Sequence, residues 1–162
     1  MHELHRAALE IRILIAIATK WSGRCLEQRL QAQGIAMSSL QYGIMRLLFH
    51  ERHTISELSR KMTLAPATLV PAVDALERHG FVERGRDPKD RRRTPLALTE
   101  QGGAILALVP PVDDEDVLVR SLAAMGPEHS RQLLDRLRDL VAAMPDGAGA
   151  VAELAASVNR AD

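Results

Sequence analysis

Apolar positions recur along most of this 162-residue chain with the period of an α-helix, in blocks divided by short polar stops. The first block predicts one long helix over residues 4–33. Leu4, Ile11, Ala18 and Cys25 fall seven apart, as do Ala8, Ile15, Ser22 and Arg29, so a seam is apolar toward the N-terminal end. Between residues 11 and 18 the helix is apolar nearly all round, through Ile13, Leu14 and Ile17. Such a surface needs more cover than a small domain of its own provides, which points to a subunit interface. Gly34 follows as the stop.

Two capping boxes come next. Ser38 with Gln41 opens a helix to about Phe49, with Leu40, Ile44, Leu47 and Leu48 inward. Thr54 with Glu57 opens a shorter one lined by Ile55, Leu58 and Met62. After a turn near Thr63-Leu64, Pro66 to His79 carries Leu69, Val73 and Leu76 on one face and stops at Gly80. There the period changes to two. Phe81-Val82-Glu83-Arg84 alternates, Gly85 to Asp90 supplies turn residues, and Leu96 and Leu98 share a face of the return run Arg91 to Leu98. Helix, tight turn, helix and two-stranded ribbon make a helix-turn-helix with a wing.

Beyond the ribbon, Thr99 caps a helix from Glu100 to Val109, and Pro110-Pro111 interrupts it. Asp113 to Asp116 read as the acidic first turn of a helix running to Met125. Gly126-Pro127-Glu128 opens another, striped by Leu133, Leu134, Leu137, Leu140, Val141 and Met144. From Pro145 the composition predicts a frayed, flexible tail with one weak helix around Val151 to Val158. The expected fold is mostly α with a small β wing. It divides into a dimerisation helix over 1–34, a winged helix-turn-helix over 35–99, C-terminal dimerisation helices over 100–144, and the tail over 145–162.

In a helix-turn-helix the second helix enters the major groove. Its outward face here is Ala67, Val70, Pro71, Asp74 and Arg78, with Thr68 on the flank. Three of these are apolar and none is Asn or Gln, so the face suits thymine methyls and offers little bidentate readout. Thr68, Arg78 and the wing are therefore expected to contribute much of the binding, and Thr54 and Ser56 are counted among the DNA-facing residues. The ribbon tip carries Arg86, Lys89, Arg91, Arg92 and Arg93 against Asp87 and Asp90. Cations so crowded repel one another unless they meet phosphate. Pro71 admits two placements. With Thr68 as N-cap it falls at the third helical position, where its missing N–H costs nothing; with Pro66 as the start it lies inside the helix and kinks it.

Composition sharpens this picture. The aromatic residues are Trp21, Tyr42, Phe49 and Phe81, so the core must be aliphatic, which favours helices. A formal charge of zero hides a division: residues 1–99 hold 16 Lys and Arg against 10 Asp and Glu, and residues 100–162 hold 5 against 11. One part of the molecule is thus suited to a polyanion. The lone Cys25 excludes an intramolecular disulfide and fits a reducing compartment. With no secretory signal and no apolar run near the ~20 residues of a membrane span, a cytoplasmic protein without membrane contact is expected.

Asp90-Arg91-Arg92-Arg93-Thr94-Pro95-Leu96-Ala97-Leu98-Thr99 resembles the D-x-R-x-x-x-x-x-L-T wing signature of the MarR-type regulators. Asp87-Pro88-Lys89, Glu100-Gln101-Gly102 and Leu76-Glu77-Arg78-His79-Gly80-Phe81-Val82 are similar to that family as well, and element order matches over residues 4–144. The resemblance implies a homodimer built from the first and last helices, gripping a pseudo-palindromic duplex. It also implies a repressor released by a small phenolic or other aromatic ligand, with Trp21, Tyr42 and Met45 as pocket residues. On this likeness Asp90 braces the wing tip and Arg92 approaches the minor-groove backbone. A carboxylate two residues from an arginine can hold its guanidinium in one pose, and narrow grooves attract Arg. Many members carry a polar residue where this chain has Pro71.

Other chemistry is weaker. Cys25 lies late on the apolar seam, as a structural thiol rather than an oxidant sensor. His50 and His53, at a helix end, suit the helix dipole better than a metal. Asp113 to Asp116 lack the glycine and distal glutamate of a calcium loop. No nucleophile–base pair or phosphate-cradling glycine loop is present, so neither an enzyme nor a cofactor is expected. The alternatives are a winged-helix module for an acidic protein partner, and a thiol- or metal-responsive repressor of the same fold.

Overall fold

The computed structural model describes residues 1–86 and 93–158, with side chains described as far as residue 155. The elements run α1 (His2–Ala32), α2 (Ser39–His50), α3 (Ile55–Met62), α4 (Pro66–Arg78), β1 (Val82–Arg84), β2 (Leu96–Leu98), α5 (Glu100–Leu108), α6 (Val117–Met125), α7 (Pro127–Ala142) and α8 (Gly147–Val158). Met1–Val117 and Leu118–Asp162 form two compact units.

In the first unit both capping boxes are made. Ser38 N–H donates to Gln41 Oε1 at 2.9 Å, and Gln41 N–H to Ser38 Oγ at 3.2 Å. Thr54 and Glu57 repeat the exchange at 2.7 and 3.3 Å. Each box satisfies two N–H groups that a helix start otherwise leaves unpaired. The start points of α2 and α3 follow from their own sequence. The core is aliphatic apart from Tyr42, as the shortage of aromatics requires. Leu30, Ile44, Met45, Leu58, Leu69, Val73, Leu76, Val82 and Leu96 are its most deeply buried side chains.

Thr63 closes α3 with φ 54° and ψ 40°, in the left-handed region, where its N–H donates to Arg60 O. A β-branched residue there is strained. Pro66 then opens α4 at the first helical position, after Ala65 as N-cap. That decides the placement of Pro71: it lies inside the helix, which continues to Arg78. At the other end Gly80 has φ 74°, and the N–H groups of Gly80 and Phe81 donate back to Glu77 O and Leu76 O at 2.9 and 3.0 Å. This left-handed stop turns the chain out of α4 straight into the wing.

β1 and β2 pair antiparallel with Val82 opposite Leu98 and Arg84 opposite Leu96. Among the described residues the ladder ends at Arg84 and Leu96, where Pro95 has no N–H with which to continue it. Gly85 N–H still reaches Pro95 O at 2.7 Å. On the other edge of β2, Leu96 exchanges both backbone bonds with His53, at 2.8 and 3.2 Å. His53 is thus part of the wing root, beyond the end of α2, where the sequence alone suggested a partner for a helix dipole. Thr99 caps α5 through Gly102 N–H at 3.1 Å. A β-carbon at Gly102 would lie 2.3 Å from Phe81 O, so only glycine lets α5 approach the ribbon this closely.

The run Asp113–Asp116 is not the first turn of α6, which begins at Val117. Asp113 accepts from Glu115 N–H, and both Asp113 and Asp116 are ion-paired with Arg29 of α1. A guanidinium 84 residues from Asp113 in sequence thus pairs with carboxylates that the sequence assigned to a helix start. Arg29 also donates to Pro110 O at 2.8 Å, so one side chain ties α1 to the segment following α5.

In the second unit Ser130 Oγ donates to Leu122 O, 2.8 Å away, fastening the corner between α6 and α7. The weak helix expected around Val151 to Val158 is part of α8, which starts earlier, at Gly147, and packs on α7. Its alanine-rich composition favours a helix once a neighbour covers one face.

Candidate nucleic-acid interface

Along α4 the buried positions Leu69, Val73 and Leu76 alternate with exposed Ala67, Thr68, Val70, Pro71 and Arg78, while Asp74 is half-buried. The face predicted from periodicity is therefore the one presented outward. What the sequence did not reveal is how the ribbon is fixed to it. Arg84 of β1 reaches back to both acidic residues of α4, pairing with Asp74 and, at 2.9 Å through Nε, with Glu77. A helix turn separates Asp74 from Glu77, and one planar guanidinium spans both. The available signal was an i, i+3 acidic pair followed, just past the glycine stop, by a strand arginine.

A second tie joins the ribbon to α3. Arg93 Nη2 lies 2.6 Å from Glu57 Oε1. The Glu57 carboxyl is held below the usual carboxylate range chiefly by the Thr54 N–H, with the Thr54 hydroxyl and Arg93 adding to the effect. Between these ties lies a groove of about 610 Å³ lined by Thr54, Ile55, Ser56, Glu57, Arg84, Arg93 and Thr94. Of the two α3 residues expected to face DNA, Ser56 is exposed, whereas the Thr54 hydroxyl is engaged by the capping box. Arg86 and Arg93 are exposed on the ribbon; Lys89, Asp90, Arg91 and Arg92 lie outside the described residues.

The wing root also carries a buried titratable group. His53 is 5% exposed, and burial pushes its imidazole below the ordinary value near 6.5. Glu51, with an oxygen 3.3 Å from Nε2, opposes that shift, Lys61 adds to it and Glu57 opposes it.

The three residues suggested for a ligand pocket stand apart in character. Met45 and Tyr42 are buried in the core, and the Tyr42 hydroxyl donates to Val109 O at 2.6 Å. Burial raises the Tyr42 pKa, against the opposing influence of Arg46 and Arg29. Trp21 is 62% exposed on α1. Cys25 is half-buried. No grouping of three or more His, Cys, Asp or Glu suited to a metal occurs among the described residues, and none of their helices is long and apolar enough to cross a membrane.

Comparison with known proteins places this geometry. The MarR family model matches residues 37–94, from just before α2 to the ribbon. The transcriptional regulator SarZ of Staphylococcus aureus is 30% identical over 98 residues, covering 60% of this chain and 64% of SarZ. The chain spans less than two thirds of the length of the curated relatives it matches. Among solved structures, the transcriptional regulator BldR from Sulfolobus solfataricus superposes with a TM-score of 0.65 at 25% identity, over 85% of this chain and 96% of BldR. Reduced AbfR bound to DNA does so with a TM-score of 0.58 at 26% identity, over 84% and 96%. Residues 37–94, which hold the helix-turn-helix and the root of the ribbon, thus match the MarR family model, and the fold is similar to that of winged-helix transcriptional regulators.

Proposed function

We propose that the chain is a homodimeric repressor, not an enzyme, that acts in the cytoplasm. It binds a pseudo-palindromic duplex through α4, the start of α3 and the ribbon, and releases it on binding a small aromatic ligand. The observation that carries the reading is the coupling of an outward α4 face to an arginine-bearing ribbon through Arg84. Two elements held in one orientation can meet a groove and its flanking phosphates together. The DNA-bound state of AbfR supports this use of the fold.

In this reading Ala67, Thr68, Val70, Pro71 and Arg78 face the major groove. Ser56 approaches a phosphate at the start of α3, with Thr54 beside it. Arg86, Lys89, Arg91, Arg92 and Arg93 follow the backbone, with Asp90 bracing the tip. Residues 1–34 and 100–144 supply the dimer contacts: α1 exposes Leu9, Ile11, Leu14 and Ile15 in the single chain, and α7 exposes Leu133, Leu134 and Leu137. Apolar stripes of this extent are what a second copy covers. Trp21, Tyr42 and Met45 are the ligand-site proposal.

The test is a pull-down of genomic fragments with purified protein, sequenced at two salt concentrations. A recurring imperfect palindrome, lost at the higher salt, is expected, since phosphate contacts release counterions. A folded dimer that retains no DNA at low salt would overturn the proposal.

A further inference from the structure

We infer that Pro71 converts part of the α4 main chain into a base reader: the Ala67 carbonyl selects an A·T pair through the adenine amino group. The inference rests on the DNA-binding reading above and adds a specificity to it.

In an α-helix the carbonyl of residue 67 is bonded by the N–H of residue 71. α4 begins at Pro66, so this bond would fall inside the helix, yet residue 71 is a proline and has no N–H to give. The carbonyl of residue 67 is thus left without its usual partner in the helix ladder. Ala67 and Pro71 are both exposed, one turn apart on the outward face, and a methyl side chain is too small to cover the acceptor. Side-chain readout on this face is sparse. Asp74 is engaged by Arg84, leaving Thr68 and Arg78 as polar groups, with no Asn or Gln.

The major groove offers two exocyclic donors to an acceptor, adenine N6 and cytosine N4. The surroundings discriminate between them. Val70 and Pro71 are apolar and exposed beside the carbonyl, and the A·T pair presents a thymine methyl where G·C has none. An acceptor set among apolar groups matches the A·T edge on both counts.

The test uses the operator recovered by the pull-down. Each adenine is replaced in turn by 2-aminopurine, which still pairs with thymine but carries its amino group in the minor groove. Affinities are compared for the wild type and Pro71→Ala. The substitution restores the N–H, so the carbonyl is claimed within the helix, and alanine favours the helix interior, so the variant folds. One adenine per half-site is expected at which the replacement weakens wild-type binding roughly three- to tenfold, while Pro71→Ala is indifferent there. Identical profiles for the two proteins, or a wild type indifferent at every adenine, would overturn the inference. A wild type that binds no duplex would remove the DNA-binding reading and this inference with it.

Discussion

His53 shows how a single residue can make the wing root sensitive to acid. Its backbone completes the ladder on β2 while its ring is buried, so the folded protein resists protonation that the unfolded chain accepts. Above about pH 6.5 both states are neutral at this site and it contributes no pH dependence. As the pH falls below that value the unfolded chain binds the extra proton, so stability drops. Urea unfolding at pH 7.5 and 5.5 is expected to show a larger loss for the wild type than for His53→Gln; equal losses would refute the role. Thr63 offers a second residue-scale test. Its left-handed backbone is unfavourable for a β-branched side chain, so Thr63→Gly is expected to stabilise by about 0.5–1 kcal/mol, after the greater freedom of glycine in the unfolded chain is deducted. A raised urea midpoint at unchanged slope would register it.

Among the elements, the contact between β1 and α4 has a direct functional prediction. Removing Arg84 frees two carboxylates beside the surface proposed to meet DNA, and it releases the ribbon from α4. Arg84→Met is expected to lower DNA affinity, and adding Asp74→Asn to recover part of the loss by removing one bared charge. Titrations of labelled operator would measure both, and an unchanged affinity in the single variant would contradict the positioning role. This contact also marks the boundary of what could be read from the chain. The starts of α2 and α3 were legible because each capping box is a local exchange across four residues. The buried and outward faces of α4 followed from its period. The partners of Arg84 and Arg29 were not legible, since both pairings depend on how separate elements pack. The run Asp113–Asp116 read as a helix start for the same reason, since the arginine that pairs with Asp113 and Asp116 is remote in sequence. The placement of Pro71 turned on whether Pro66 or Thr68 opens the helix, and local sequence admits either start.

For the whole molecule, the unpartnered apolar length of α1 yields the strongest prediction about assembly. Ile15 is 44% exposed in the single chain, amid other exposed aliphatic side chains. A carboxylate there would be desolvated by a second copy, so Ile15→Asp is expected to give monomers or unfolded chains by analytical ultracentrifugation and circular dichroism. A stable monomer that still bound a full two-half-site operator tightly would contradict the interface. The division of labour along α4 carries a wider consequence. Leu69, Val73 and Leu76 hold the helix in place, whereas residues 67, 68, 70, 71 and 78 have little hold on the interior. Changes at the outward positions can therefore accumulate with little penalty to folding, so under the proposed DNA-binding role the preferred operator can drift, or be reprogrammed from a library of five codons, on an unaltered scaffold.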